Sequence, residues 1–383
     1  MRRTRSFILY GFAGLILSVA CRKAYDPPVL EAKNNYIVVD GIINIGANTI
    51  TSIKINRTRN LYDTLKGGIP VLHAQAEILS KSGASYVLQD TANAGTYTSQ
   101  VLTLDVTQQY AISITTAGGS KYMSDFVACK STPPIDSLYW QQPNDFTVYV
   151  DTHDPDNDTH YYRWDYVETW EHDAELQTPW GVHSGMIIVT DSTNQKSLCW
   201  TTDSSTDIIL ASSSNLSKDA IVKFPLLTIK NPDSKLNNKY SILAQQYALT
   251  ADAYNYWLSI QKTSQKLGTF FDLQPAQLFG NIHCLTDATE PVIGFMSASS
   301  IRQKRIFLYQ TYLTGWIHNP PVYGCDTLQI PVNHTDYRIY TDNYPGYAPY
   351  YFISSSGPLV LASTICLDCT LLGGNNIRPP YWK

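Results

Sequence analysis

Gln109-Tyr110-Ala111-Ile112-Ser113-Ile114-Thr115 decides the fold class. Tyr110, Ile112 and Ile114 recur at every second position, the period of a strand with one face buried. The same signal continues outward from it. Tyr36 to Ile43 is dense in β-branched residues, and Ile53 and Ile55 share one face within Thr51 to Asn56. Val71 to Leu79 alternates more loosely, Tyr86 to Leu88 is short, Gly95-Thr96-Tyr97 precedes a segment at Val101 to Leu104, and Tyr122 to Val127 closes the set. Short strands at close spacing, with Gly, Asn and Asp between them, predict a β-sandwich over residues 36–130.

The order of edge strand, hairpin, Gly-x-Tyr and Tyr-x-Ile-x-Ile resembles transthyretin-like modules, so the expected unit is transthyretin- or Ig-like. Ser131-Thr132-Pro133-Pro134 reads as a linker. Beyond it, residues 131–383 form a larger β-rich domain. Ile135 to Trp140, Thr147 to Val150, the aromatic His160 to Thr169, Met186 to Thr190, Ser197 to Thr201, Ala220 to Leu227 and Lys239 to Tyr247 read as strands. So do Val292 to Ser297, Arg305 to Tyr312, Gln329 to Val332 and Tyr350 to Ser354. One main helix is expected near 250–267, capped by Thr250 and stopped by Gly268. Tyr254, Trp257, Leu258 and Gln261 lie along one side of it, the first three facing a sheet, with Tyr256 and Ile260 on a neighbouring stripe. Charged residues are only 16% of the chain against 27 tyrosines and 8 tryptophans, which favours strands.

Residues 1–20 read as a secretory signal. Met1-Arg2-Arg3-Thr4-Arg5 is basic, Phe7 to Ala20 is apolar, and small residues precede Cys21. The apolar run is shorter than a membrane span needs, about 20 residues. Leu17-Ser18-Val19-Ala20-Cys21 is a lipobox with Ser18 where an aliphatic residue is usual, so Cys21 is the expected lipidation site. Residues 21–35, with Pro27 and Pro28, form a lipid-anchored tether whose fourteen residues after Cys21 reach roughly 45 Å when extended. Removing the leader leaves 25 basic against 32 acidic side chains, a formal charge of −7 that excludes nucleic acid as the natural partner.

Beyond Cys21 stand six cysteines, Cys129, Cys199, Cys284, Cys325, Cys366 and Cys369. An even count in an exported chain points to disulfides, with fifteen full pairings open. Cys366 and Cys369 are expected in structural bridges, with each other or with partners such as Cys325, leaving almost no free thiol. Asp154, Asp156 and Asp158 have the spacing of a calcium loop, but Thr159 stands where that loop needs Gly, so an Asx turn competes with the metal. Glu168, Glu171 and Asp173 sit near Trp164, Trp170 and Trp180; a glycoside hydrolase would pair such acids, yet on a strand Glu168 and Glu171 face opposite ways. No motif for a cofactor or catalytic nucleophile is found. Tyr337 to Tyr351 holds six tyrosines interrupted by Pro345, Gly346 and Pro349. Tyr337, Tyr340, Tyr344, Tyr347 and Tyr350 are the candidate ligand or partner contacts, against the alternative that their rings fill a seam.

Three segments carry a wider likeness: Tyr161-Tyr162-Arg163-Trp164 with Glu168-Thr169-Trp170-Glu171; Gly280-Asn281-Ile282-His283 followed by Glu290-Pro291-Val292-Ile293-Gly294-Phe295; and Cys366-Leu367-Asp368-Cys369-Thr370 with Pro379-Pro380-Tyr381-Trp382. Together they resemble the Bacteroidota lipoprotein family catalogued as domain of unknown function 4249. The resemblance implies a lipid-anchored outer-membrane protein, facing outward or into the periplasm, often encoded beside a TonB-dependent receptor. It implies no catalytic residue. The expected function is therefore a non-catalytic accessory lipoprotein that captures a glycan or peptide ligand or docks that receptor. A secreted polymer-degrading enzyme and a structural envelope or adhesion protein are the alternatives.

Overall fold

The computed structural model describes residues 35–59, 67–184, 186–190, 196–264, 280–318, 324–330, 344–354 and 358–383. Cys21, the leader, the tether, Gly268, Tyr337 and Tyr340 lie outside the described residues. Strands are numbered in chain order. The chain is mainly β, as the alternation requires.

The first body contains β1 (Ile37–Asn44), β2 (Ser52–Arg57), β3 (Ile69–Pro70), β4 (Gln75–Ser80), β5 (Ser85–Gln89), β6 (Thr96–Ser99), β7 (Gln109–Thr115), β8 (Lys121–Ser124) and β9 (Val127–Lys130). Tyr110, Ile112 and Ile114 of β7 are all buried, the face their spacing assigned them. Pairing runs β7-β4-β5-β6-β2-β1, then through the short β20 (Ala298–Ser299) to β9, and β9 pairs back onto β7. The strands thus close into an eight-stranded barrel-like sheet, which removes the open edges a sandwich would keep. Val101 to Leu104 is not a strand. Val101 is exposed, and the only β pairing of the segment is a bridge between Leu102 and Thr49.

The barrel borrows from far along the chain, which corrects the contiguous 131–383 boundary. Residues 280–299 return to the first body, where β19 (Ile282–Cys284) pairs with β8 and β20 completes the ring. The Val292 to Ser297 run lies alongside β1 through irregular hydrogen bonds: Val39 donates to Ile293, Ile293 to Ile37, and Ile43 to Ser297. The motif read at 280–294 is the stitching. Asn281 is buried and mimics a strand, its Nδ2 donating to the Met296 carbonyl at 2.9 Å and its Oδ1 accepting from the Met296 amide at 2.7 Å. Gly294 has φ +143°, and a Cβ there would stand 2.2 Å from the Val39 carbonyl oxygen. Only glycine allows that approach.

The second body is two sheets face to face. One is β10 (Ile135–Gln141), β11 (Phe146–His153) and β17 (Ala220–Ile229). The other is β15 (Leu198–Ser204), β12 (Tyr161–Asp173), β18 (Lys239–Ala248) and β21 (Ile301–Tyr309), with β16 (Ile209–Ser212) also on β12. Tyr162 and Trp164 stack at 5.6 Å, and Trp164 meets Phe224 of the facing sheet at 5.1 Å. A polar group enters this core fully satisfied: Gln246 accepts from Trp164 Nε1 and donates to the Pro133 carbonyl and to Thr152 Oγ1, each at 2.9 Å. Unpaired, that amide would cost a few kcal/mol.

The helix is α1 (Ala251–Ser264), its first turn closed by Thr250 Oγ1 accepting from the Ala253 amide. Its most buried residues are Ala253 and Tyr256, while Tyr254 and Trp257 of the expected side are half-buried against the cluster that contains Ala253. The helix lies in the seam between the bodies. Tyr256 Oη accepts from the Gly294 amide at 2.8 Å, while Tyr254 meets Tyr161 and Trp257 carries the Arg163 guanidinium at 4.1 Å.

A third, small sheet orders as β22 (Thr327–Ile330), β24 (Leu359–Ser363) and β23 (Tyr347–Phe352), beside the hairpin β13 (Trp180–His183) and β14 (Met186–Val189). The short α2 (Thr364–Leu367) follows β24.

Candidate functional site

Of the three expected acids, Glu171 and Asp173 line one depression, and Glu168 does not join them. Strand alternation puts Glu168 and Glu171 on opposite faces of β12. Glu168 is buried, paired with Lys235 Nζ and accepting from Tyr240 Oη at 2.8 Å. Glu171 accepts from Trp382 Nε1 at 2.9 Å. Asp173 reaches the exposed end of the strand, held by Asn238 Nδ2 at 2.7 Å. Trp164 is core, whereas Trp180 sits on the separate hairpin, edge-on to Phe352.

Another group has the residue types of a nucleophilic triad but different wiring. Ser213 donates to Asp219, which also accepts from Tyr162, and His160 Nδ1 lies 3.4 Å from Ser213 Oγ. Here the serine proton goes to the carboxylate, and Ser213 is fully buried. Burial, then the Asp219 contact, holds the Tyr162 phenol far above its ordinary range. The cluster locks β12 to the residue just before β17, Asp219, whose amide donates to Asn157 Oδ1 at 2.6 Å.

In the calcium-spaced stretch, Asp154 works as an Asx cap. Its Oδ1 accepts from the Asp156 amide and its Oδ2 from those of Asp158 and Thr159, at 3.1, 3.1 and 2.8 Å. Burial pushes Asp154 up, but these bonds outweigh it and leave the carboxyl below its usual value. Asp158 instead pairs with Lys130 at 3.0 Å.

Of the tyrosine stretch, Tyr344 is exposed in a turn and Tyr350 is half-buried. Tyr347 is half-buried, packed against the cluster of Ile330, Leu359 and Leu361. Pro349 is buried and its carbonyl, like that of Tyr350, accepts from Thr178 Oγ1.

Four of the six cysteines pair, Cys199 with Cys369 and Cys325 with Cys366, both at a Cα separation of 5.9 Å. Cys129 and Cys284 carry no bridge, which corrects the expectation of almost no free thiol. Both sit among the barrel's apolar residues, where a thiol packs as a small hydrophobe. Burial, then Asp105, pushes the Cys129 thiol up to about 11.

One arrangement with room for a ligand takes in part of the acid–aromatic group read in the sequence, Glu171, Asp173 and Trp170, and joins it to residues the sequence did not single out. Beyond Trp170, β12 leaves its ladder with β18 but stays paired to β15 through Asp173. Two depressions open there, of about 510 and 740 Å³, and both include Asp173, Asn237 and Asn238. The first is lined further by Trp170, His172 and His318, the second by Trp200, Trp382 and Arg378. Disulfide Cys199–Cys369 and the reciprocal backbone bonds between Trp200 and Asn375 hold the floor. Burial lowers the affinity of His172 for a proton, with Asp173 opposing, so the imidazole is neutral at pH 7. Its Nε2 lies 2.9 Å from Thr201 Oγ1. Sequence periodicity gave no sign of the cleft's other side, because Asn237–Asn238 meets β12 only through the turn before β18.

The Pro379-Pro380-Tyr381-Trp382 ending lies over the sheet. Tyr381 Oη meets Thr169 Oγ1 at 2.9 Å and its ring lies 3.8 Å under the Arg305 guanidinium. Among the described residues, no helix is long and apolar enough to cross a membrane.

Residues 22–305 match the family described as Domain of unknown function (DUF4249). The match ends inside β21, so the cysteine-containing ending lies beyond it. No curated protein matches the sequence. A cryo-EM reconstruction of the native conformation of E. coli alpha-2-macroglobulin aligns over 58% of this chain at 11% identity, with a TM-score of 0.18, and carries no argument at that level. The aligned part is 14% of that protein's chain.

Proposed function

The chain belongs to the family described as Domain of unknown function (DUF4249), and from that premise we propose that it is a non-catalytic accessory lipoprotein, anchored to the outer membrane of a Bacteroidota cell through Cys21, that captures a ligand for a TonB-dependent receptor. One observation carries the reading. The acids of β12 are tied to Lys235, Tyr240 and Trp382, while the strand's far end opens into a cleft of aromatic and amide side chains. A glycoside hydrolase holds two carboxyl groups about 5–9 Å apart across one bond; Glu168 and Glu171 serve opposite faces of a sheet. Binding sites instead place a few polar groups among aromatic rings. The basic start, apolar run and cysteine of residues 1–21 support the anchor.

The test is incubation of the mature chain with a panel of plant and microbial polysaccharides, followed by measurement of new reducing ends and of co-isolation with the receptor from native membranes. Capture predicts co-isolation and no new reducing ends. Reducing ends that disappear in Glu168→Gln would establish the hydrolase instead.

A further inference from the structure

We infer that the double depression at the end of β12 is a binding site for a neutral oligosaccharide, seated across Asp173 and Asn238 with a sugar ring against Trp170. The inference deepens the capture reading and rests on it.

Size comes first. Depressions of about 510 and 740 Å³ sharing a rim suit a chain of a few sugar units better than a single small metabolite. Chemistry comes second. A sugar hydroxyl donates and accepts at once, and so do a carboxamide, a threonine hydroxyl and a neutral imidazole. The cleft supplies these at Asn238, Thr201 and His172. Trp170, half-buried with Lys235 over its ring, lends the first depression an apolar surface for the C–H groups of a pyranose.

Charge narrows the class. Around the two depressions the carboxylates of Glu171, Asp173 and Glu175 are balanced by Lys239, Arg378 and Lys383, so the lining carries no strong excess of either sign and suits a neutral ligand better than a polyanion such as a uronic acid polymer. Preorganisation completes the case. Asn238 orients the Asp173 carboxylate, Thr201 orients His172, and Lys235 stacks on Trp170 at 4.8 Å while tied to Glu168. Side chains fixed before binding lose little entropy on binding.

The experiment is calorimetric titration of the full mature chain with cellohexaose, xylohexaose and mannohexaose, with hexagalacturonate and a mixed decapeptide pool as further arms. At least one neutral hexasaccharide is expected to bind. Asp173→Ala and Asn238→Ala each weaken it at least tenfold with an unchanged Tm, and Trp170→Phe weakens it several-fold. Asp173 is exposed, so its variant tests the site even where Trp170 substitutions disturb packing. The inference is overturned when no neutral hexasaccharide binds, when both variants bind as the parent does, or when hexagalacturonate binds more tightly. Binding of peptides alone also overturns it, yet leaves capture standing. New reducing ends during the titration would instead remove the capture reading itself.

Discussion

The barrel and the small β22–β24–β23 sheet meet the same entropic demand by different means. Among the described residues, 21 buried residues cluster in the barrel, against three, Ile330, Leu359 and Leu361, under the small sheet. The barrel leaves Cys129 and Cys284 as thiols inside its packing, whereas both disulfides gather around the small sheet's ends, Cys325 before β22 and Cys366 in the helix after β24. Cys369 then ties the following turn back to β15. Apolar burial stabilises at about 25 cal/mol per Å², so a core of three residues falls short of the conformational entropy it must offset. Cross-links substitute for it by restricting the unfolded chain. The lesson is that cysteine use here follows core size, and an even cysteine count did not reveal it.

The largest effect that would break this comparison is loss of the long-range bridge. Cys199→Ala with Cys369→Ala removes a cross-link spanning 170 residues, and is expected to cost on the order of 4 kcal/mol. Urea unfolding followed by tryptophan fluorescence reads it; a loss under 1 kcal/mol would mean the small sheet stands without its tie. Next is Gly294→Ala in the barrel. Its Cβ would press on the Val39 carbonyl, at a cost of about 3 kcal/mol from clash and strain together. A near-neutral melt for that variant would show that the returning segment is not part of the barrel's closure.

A pH series sharpens the comparison further. Burial raises the Asp368 carboxyl, but bonds from Thr370 and Lys196 outweigh it, so its folded pKa lies below the usual value. Its stabilisation is therefore complete above the unfolded pKa, about 3.9, and is lost as pH falls through the lower folded one. Asp368→Asn should flatten the Tm profile below pH 4 and reduce Tm above it; parallel profiles would deny the carboxylate this role. The smallest effect belongs to Cys129→Ser, within about 1 kcal/mol of the parent. With its thiol pushed up to about 11, Cys129 should also alkylate slowly at pH 8 in the folded protein, and rapid labelling would place it in a more open setting.

Local periodicity made much of the fold legible. Gln109–Thr115 is a strand with those bounds, and the helix near 250–267 is seen as Ala251–Ser264. The pieces that escaped were short or set by distant partners. Ile282–Cys284 and Ala298–Ser299 are too brief to show a period, and their place follows from register with β8, β1 and β9. Val101 has strand-like neighbours but no ladder to join. Tyr347, a candidate contact by residue type, is half-buried against the cluster of Ile330, Leu359 and Leu361. The cleft was legible only in part, at Trp170, Glu171 and Asp173; its other side was hidden for a related reason, since Asp173 and Asn238 are 65 positions apart and meet only once β12 and β18 have paired.

The central claim is a capture protein held at a membrane through Cys21, upstream of a barrel whose first strand begins at Ile37. Intact mass spectrometry of protein extracted from native membranes tests it most directly. The account predicts a mature chain beginning at an acylated Cys21, with Cys21→Ser released into the soluble fraction. A mature chain that begins elsewhere and is recovered without detergent would contradict it.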